Sequence, residues 1–266
     1  MQTNQYDSIK VKDNLSDKIS DHLVIEAPLQ ININSQSYTV VMRTPGNDID
    51  LIRGLLYAED IYKEKTALNF DIEEEKKDFS SIINVTISKE KLGKGYLNKR
   101  TLLSVSSCGI CGKKELDDLH VSGKALSNSK KVTQTQIQQM FQLLSNHQET
   151  FKVTGGSHAA AIFNKKQELL TIREDIGRHN AVDKCIGSLL KNEILAEANV
   201  LLVSGRVSYE IVSKAFLAKI PIIVAVSACS TLAVDFAKEF GICLIGFSRN
   251  NKMTIYANPQ YISYER

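Results

Sequence analysis

The sequence predicts an α/β protein in which a smaller, β-containing N-terminal part precedes a sheet flanked by helices. Three observations carry this. From residue 180 onward, short runs rich in Val, Ile and Leu alternate with helix-length amphipathic stretches, the pattern of a parallel sheet covered on both faces. Gly205, Gly241 and Gly246 stand at the junctions between those runs. Between residues 23 and 44, apolar and polar residues alternate with the period of strands.

The chain of 266 residues is 43% hydrophobic and 24% charged, enough apolar material to bury a core without disulfide or metal staples. That composition excludes a collagen, a coiled coil and a disordered tail protein. With 33 Lys+Arg against 30 Asp+Glu, the formal charge is only +3, and no basic run or basic-aromatic stripe points to a nucleic-acid partner. The longest uncharged apolar run, residues 220–229, is about half of the roughly 20 residues a membrane-spanning helix needs. The opening MQTNQYDSIKVKDNLSDKIS carries both signs of charge and no apolar stretch, so no secretory signal and a cytoplasmic location are expected.

Residues 1–21 offer little to bury and are expected to form a flexible leader. Residues 22–101 form the smaller α+β domain. Its first two strands flank the turn Asn34-Ser35-Gln36-Ser37. After Thr44-Pro45-Gly46-Asn47, the stretch DIDLIRGLLYAED places Ile49, Ile52, Leu55 and Leu56 on one helical face, and Pro45 and Asn47 suit a helix start. Residues 71–80 read as a charged turn and 82–88 as a strand, while KLGKGYLNKR is the candidate inter-domain linker. Residues 102–266 form the larger domain. It comprises a helix at 133–145, a hairpin of 159–163 and 169–173, and then helix 180–191, strand 200–204, helix 209–218, strand 222–226, helix 231–240 and strand 242–247.

The sharpest chemical feature is Ser106-Ser107-Cys108-Gly109-Ile110-Cys111-Gly112-Lys113-Lys114. Two thiols three residues apart can share a metal, cycle through a disulfide, or carry a sulfane sulfur on one while the other assists. Flanking glycines expose backbone N–H groups which, with the two lysines, favour a thiolate. A zinc half-site is the structural alternative, but the remaining cysteines are scattered: Cys185 lies in a helical apolar pattern and Cys243 in a strand, where a thiol is usually a small buried hydrophobe. No metal is expected. A thioredoxin-type motif would open a helix after a first strand, and this one does not.

Further candidates gather at strand-to-helix junctions, where open α/β sheets bind ligands. They are Thr154-Gly155-Gly156-Ser157-His158, then Arg173 to Asn180 with Arg178 and His179, then Val203-Ser204-Gly205-Arg206-Val207-Ser208, and Ser227-Ala228-Cys229-Ser230-Thr231. Gly246-Phe247-Ser248-Arg249-Asn250-Asn251-Lys252 leaves the last expected strand. Small donors with Arg206, Arg249 and Lys252 suit a phosphate-bearing ligand, whereas each loop alone reads equally as a turn or a salt-bridge cluster. A zinc nucleoside deaminase fails on two counts. Two residues after His158 and His179 stand Ala160 and Ala181 instead of Glu, and Pro-Cys-x-x-Cys is missing.

The blocks MRTPGNDIDLIRGLLYAEDI, CGICG, TGGSHAAAIF, REDIGRHNAVDK, SGRVSYEIVSKA and SACSTLAV to LIGFSR resemble, in order and spacing, the formate dehydrogenase accessory sulfurtransferase family, FdhD, from about residue 40 to the end. One departure is Cys229, where the family pattern has proline. The resemblance implies a cytidine-deaminase-like mixed sheet with flanking helices that has lost its zinc chemistry, and a homodimer. It implies a sulfur carrier that accepts persulfide sulfur from a cysteine desulfurase and passes it to the molybdenum bis(molybdopterin guanine dinucleotide) cofactor, bound as substrate, as formate dehydrogenase requires. Cys108 would accept the sulfur and Cys111 assist. Phe247, Ser248, Arg249, Asn250, Asn251 and Lys252 would meet the dinucleotide phosphates, with His158, Arg178, His179, Ser204 and Arg206 completing the pocket. A non-catalytic cofactor chaperone with structural or protective cysteines, and a thiol-disulfide oxidoreductase, are the competing readings.

Overall fold

The computed structural model describes residues 2–64, 66–96, 123–127 and 130–263. The segment expected as a flexible leader forms instead a regular antiparallel hairpin, β1 (Thr3–Lys12) and β2 (Leu15–Val24). Its two-residue turn, Asp13-Asn14, has φ of 51° and 65°, the left-handed pair whose twist matches that of the flanking strands.

A four-stranded sheet follows, built from β3 (Ala27–Ile33), β4 (Gln36–Arg43), β5 (Asn69–Glu75) and β6 (Ser81–Thr86) in the order β4-β3-β6-β5. The helix α1 (Asp48–Ala58) packs Leu51, Ile52, Leu55 and Leu56 against Leu29, Ile31, Ile83 and Val85 of the sheet. Arg43, fully buried, knits these parts through Asp48 at 2.8 Å and the carbonyls of Ala27 and Phe79. The charged turn expected over 71–80 is shorter than the sequence suggests. β5 takes its first half as an edge strand, where carboxylates such as Glu74 and Glu75 point to water and discourage further pairing. The start of the expected linker is likewise fixed: Gly93 N donates to Ile61 O at 2.8 Å and Gly95 N to Asp60 O at 3.0 Å. A Cβ on Gly95 would lie 1.7 Å from Glu59 O, so close approach, and not freedom, is what this glycine provides.

The larger sheet has the order β13-β12-β11-β10-β8-β9. Its strands are β8 (His158–Asn164), β9 (Leu169–Asp175), β10 (Ala198–Val203), β11 (Ile222–Ala225), β12 (Cys243–Arg249) and β13 (Lys252–Ala257). Only β10, β11 and β12 are mutually parallel. The hairpins β8–β9 and β12–β13 make the rest antiparallel, so the sheet is mixed, as expected, with a parallel centre. On one face Ile162, Leu201, Ile223 and Leu244 meet α4 (Arg178–Lys191), α5 (Tyr209–Leu217) and α6 (Thr231–Glu239). On the other, Phe163, Val200, Val224 and Ile245 meet α2 (Gln134–Asn146) and the short parallel pair β7 (Val132–Thr133) and β14 (Ile262–Ser263). α2 opens on a capping box, Thr133 Oγ1 accepting from Gln136 N while Gln136 Oε1 accepts from Thr133 N. A short helix, α3 (Glu149–Thr154), precedes β8.

The two sheets are joined by α1 lying antiparallel across α4. Gly54 and Gly187 make this crossing possible: a Cβ on either would lie 1.9 Å from Asp183 O or 1.8 Å from Asp50 O. Asp50 then pairs with Arg173 at 2.8 Å and Lys191 at 3.2 Å. At the end of the crossing, Asp175 and Lys184, both wholly buried, pair at 2.7 Å. Thr44 joins them by donating its N–H to Asp175 Oδ2 and accepting from Lys184 Nζ at 2.8 Å. Gly54→Ala is expected to cost about 3 kcal/mol, the upper end for overpacking because the atom in the way is backbone. Thermal denaturation followed by circular dichroism checks this, and an unchanged melting temperature would contradict the close crossing.

Candidate functional site

The carboxyl ends of β10, β11 and β12, the amino end of β8 and the carboxyl end of β9 all reach one edge of the larger sheet, because β8 runs antiparallel to β10 and His158 pairs with Asp175. Five connecting segments therefore meet there. At their centre is Gly205, whose Cβ, if present, would lie 3.2 Å from His158 Nδ1 and 3.3 Å from Arg178 Cβ and Cδ. That residue must be small for the loop after β10 to approach α4 so closely. Ser204 closes the end of the sheet: its hydroxyl accepts from Ala159 N at 2.9 Å and its N–H donates to Ala159 O at 3.0 Å.

Charge at this edge is positive and incompletely satisfied. Among the described residues Arg178 Nε is buried without a hydrogen-bond partner. Burial, then Arg178 and Arg206, hold the His158 imidazolium below its ordinary pKa, with Asp175 opposing. His158 is thus neutral at pH 7, and an anion bound here would raise its pKa. Gly177 precedes α4 and Ser208 precedes α5, neither capping its helix through a side chain, and both helices open at this edge. The arrangement suits a phosphate or another oxyanion.

A chain of polar groups leads from the edge into the core. His179 Nε2 lies 3.0 Å from Ser208 Oγ, and its Nδ1 lies 3.4 Å from Glu210 Oε2. Glu210 Oε1 is 3.4 Å from Lys214 Nζ, which bonds Asp183 at 2.8 Å. The Glu210 contact to His179 is an ion-pair distance without hydrogen-bond alignment, since Oε2 has no hydrogen-bond partner. Burial pushes the Asp183 carboxyl up to about 6 although Lys214 draws it down, so the pair is ionic at neutral pH. Glu210, Lys214 and Asp183 escaped the sequence reading; the i,i+4 spacing of Glu210 and Lys214 on a helix was the available signal.

The structure thus brings together His158, Arg178, Ser204 and Arg206, with His179 and Ser208 alongside. Phe247 joins the same edge by donating its N–H to Ser227 O at 3.0 Å. Arg249, Asn250, Asn251 and Lys252 are not a loop leaving a last strand. They form the tight turn of hairpin β12–β13, with Asn250 and Asn251 at φ of 52° and 57°, and Asn251 O accepts from Gln134 of α2 at 2.8 Å. Ser248 is buried within β12. Among the described residues no hydrogen bond or ion pair links this turn to the His158 group. Cys108 and Cys111 lie outside the described residues.

The three described cysteines are all held as thiols. Burial pushes Cys185 and Cys243 up to about 12 and Cys229 up to about 11. Cys185 also donates its S–H to Ala160 O at 3.2 Å. Cys229 lies close to Gly246, where a Cβ would lie 3.1 Å from its sulfur.

A mixed α/β sheet with cationic side chains and helix N-termini gathered at its carboxyl edge is the class of protein that this fold and site define. The chain belongs to the FdhD/NarQ family, whose model matches residues 24–263. It is similar to proteins named sulfur carrier protein FdhD: 39% identical to that of Sulfolobus acidocaldarius over 98% of this chain and 99% of the relative, and 38% identical to that of Saccharolobus solfataricus over 97% of both. The relative of the same name from Streptomyces coelicolor is 38% identical over 96% of this chain and 94% of its own. A crystal structure from Desulfotalea psychrophila, assigned as a formate dehydrogenase accessory protein, shares the fold with a TM-score of 0.77 at 21% identity, covering 99% of this chain and 100% of the other.

Iodoacetamide on the native protein at pH 8 is expected to spare Cys185, Cys229 and Cys243, since with a pKa of about 11 only about one Cys229 thiol in a thousand is ionised there. Modification of Cys229 should rise about tenfold per pH unit toward pH 11. Peptide mapping reads this, and rapid labelling of Cys229 at pH 8 would contradict it.

Proposed function

We propose that this protein is a sulfurtransferase of the carrier type, taking persulfide sulfur from a cysteine desulfurase and delivering it to the molybdenum bis(molybdopterin guanine dinucleotide) cofactor in the maturation of formate dehydrogenase. The observation that carries the reading is one of elimination. Of five cysteines, burial holds Cys185, Cys229 and Cys243 as unreactive thiols, which leaves the glycine-flanked pair Cys108 and Cys111, next to Lys113 and Lys114, for thiolate chemistry. The names of the relatives support the same role.

In the loading step, Cys108 as thiolate attacks the terminal sulfur of the donor persulfide. A new S–S bond forms on Cys108, the donor S–S bond breaks, and the donor departs as a thiolate that takes up the proton. The sulfane sulfur moves with no net oxidation or reduction. Cys111 assists or resolves the transfer.

The substrate cofactor is polyanionic through its guanine-dinucleotide phosphates. Arg178, with its unpartnered Nε, Arg206, and the N–H groups opening α4 and α5 fit such an anion, and neutral His158 adds a hydrogen bond without charge. Phe247 offers an exposed ring at the same edge, with Arg249 and Lys252 farther along the hairpin. The antiparallel β8 beside three parallel strands supports reading the larger sheet as a cytidine-deaminase-like scaffold with the deaminase motifs missing.

Intact mass spectrometry after incubation with a cysteine desulfurase and cysteine should show a gain of about 32 Da per sulfur, lost on reduction and mapped to Cys108 or Cys111. The absence of any adduct, under conditions that load a known carrier, would favour a cofactor chaperone over a carrier.

A further inference from the structure

We propose that Ser208 and His179 form a nucleophile and base, positioned by Glu210, that give this protein a serine-based hydrolytic activity toward acyl esters carrying an anionic group. The proposal stands apart from the sulfur-carrier reading, since it uses no cysteine.

The three side chains stand in the order that a serine nucleophile requires. Ser208 Oγ lies 3.0 Å from His179 Nε2, within reach for the imidazole to take its proton, and the other ring nitrogen, Nδ1, lies 3.4 Å from Glu210 Oε2. That carboxylate oxygen is buried with no hydrogen-bond partner among the described residues, so it is available to hold the ring proton on Nδ1 and leave Nε2 as the base. Contacts of this kind are often long before a substrate binds.

Ser208 occupies the position before α5 with the extended backbone of a helix cap, φ −101° and ψ 170°, yet its hydroxyl makes no bond to the helix. Ser230, in the same position before α6, accepts from Ala233 N at 3.2 Å. Serine is favoured there for the cap it makes, so a hydroxyl turned instead to His179 is set apart from a structural one. The loop before it is fixed: Val207 N donates to Ala228 O and Val207 O accepts from Ser230 N, each at 3.0 Å, while Ser208 O accepts from Ile211 N at 3.1 Å. Ser208 remains partly exposed, whereas the base behind it is 3% exposed.

Glu210 is held in turn. His179 and Asp183 share a face of α4, and Glu210 and Lys214 a face of α5, each pair one helical turn apart, so the two helices meet through two rungs of polar side chains. In the inner rung Lys214 Nζ donates to both oxygens of Asp183 at 2.8 and 2.9 Å, and it stands 3.4 Å from Glu210 Oε1. The inner rung is a buried ion pair that docks the helices; the outer one ends on a partly exposed hydroxyl. Arg178 directly precedes His179 and Arg206 belongs to the loop that carries Ser208. Both act on His158 at the same edge, which is why the substrate carries an anionic group. In the reaction Ser208 Oγ attacks the acyl carbonyl while its proton passes to His179 Nε2. A C–O bond to Ser208 forms, the bond to the leaving alcohol breaks, and the alcohol departs with the proton from His179. Water then attacks the acyl-serine with the same proton transfers, releasing the acid and restoring Ser208 with no net oxidation or reduction.

Incubation of the full chain with diisopropyl fluorophosphate, read by intact mass and peptide mapping, tests the nucleophile. One diisopropylphosphoryl group should attach, at Ser208. Ser208→Ala should abolish the adduct, His179→Gln should slow it by about a thousandfold, and Glu210→Gln by about a hundredfold with partial recovery in Glu210→Asp. Wild type should hydrolyse mono-p-nitrophenyl succinate faster than p-nitrophenyl acetate, and Ser208→Ala should hydrolyse neither. Ser208→Ala removes one oxygen from a partly exposed residue, so the outcome does not hang on how a variant of buried His179 folds. An unlabelled wild type, or a label on another residue, would overturn the proposal. Labelling of Ser208 at the wild-type rate in His179→Gln would overturn the base, and in Glu210→Gln the positioning role; faster turnover of the acetate would overturn the anionic substrate class.

Discussion

The close antiparallel crossing of α1 over α4 is the constraint on which the rest of the structure depends. Two glycines, Gly54 and Gly187, bring the helix backbones into direct contact, and the Asp175–Lys184 pair closes the end of the crossing with both groups wholly buried. A buried pair of this kind contributes little net stability over an apolar substitute. Removing one partner, however, strands the other charge at a cost on the order of 3–5 kcal/mol. Such a pair therefore enforces one arrangement. Asp175 Oδ1 also accepts from Gly177 N at 2.7 Å and from Asn180 Nδ2 at 3.0 Å, so the carboxylate that docks Thr44 of the smaller part also sets the first turn of α4.

That link connects the smaller sheet to the carboxyl edge of the larger one. Arg178 and His179 are the first residues of α4, and their positions follow from the loop that Asp175 organises. Gly205 then lets the loop after β10 come to within contact of Arg178 and His158. The result is a concentration of donors at the carboxyl edge of a short parallel core, with an arginine nitrogen left unpaired. In this protein the smaller α+β part acts through α1 as a brace for α4, a role its own surface does not advertise.

Much of this was legible in the sequence. The alternation after residue 180 placed α4 through β12 nearly to their ends, because each strand centres on a short apolar run and each helix shows one apolar face. The junction loops carrying His158, Arg178, His179, Ser204 and Arg206 were recognisable from their glycines and mixed charge. The hairpin β1–β2 was hidden because its strands bury almost nothing; the short alternation Ile9-Lys10-Val11-Lys12 and the Asp13-Asn14 turn were the local signals. The edge strand β5 was obscured by its carboxylates. The turn at Asn250-Asn251 passed for a loop because β13 continues beyond it with a weakly apolar pattern. Buried ion pairs such as Asp175–Lys184 read as surface charge, since nine residues of sequence give no hint that both groups enter the core.

We propose that a thiol at Cys108 carries sulfur to a cofactor held at the carboxyl edge. Its most direct test is restoration of formate dehydrogenase activity in a strain lacking its own carrier, comparing wild type with Cys108→Ala at equal protein level. Wild type should restore activity and Cys108→Ala should not. Full restoration by Cys108→Ala would contradict it.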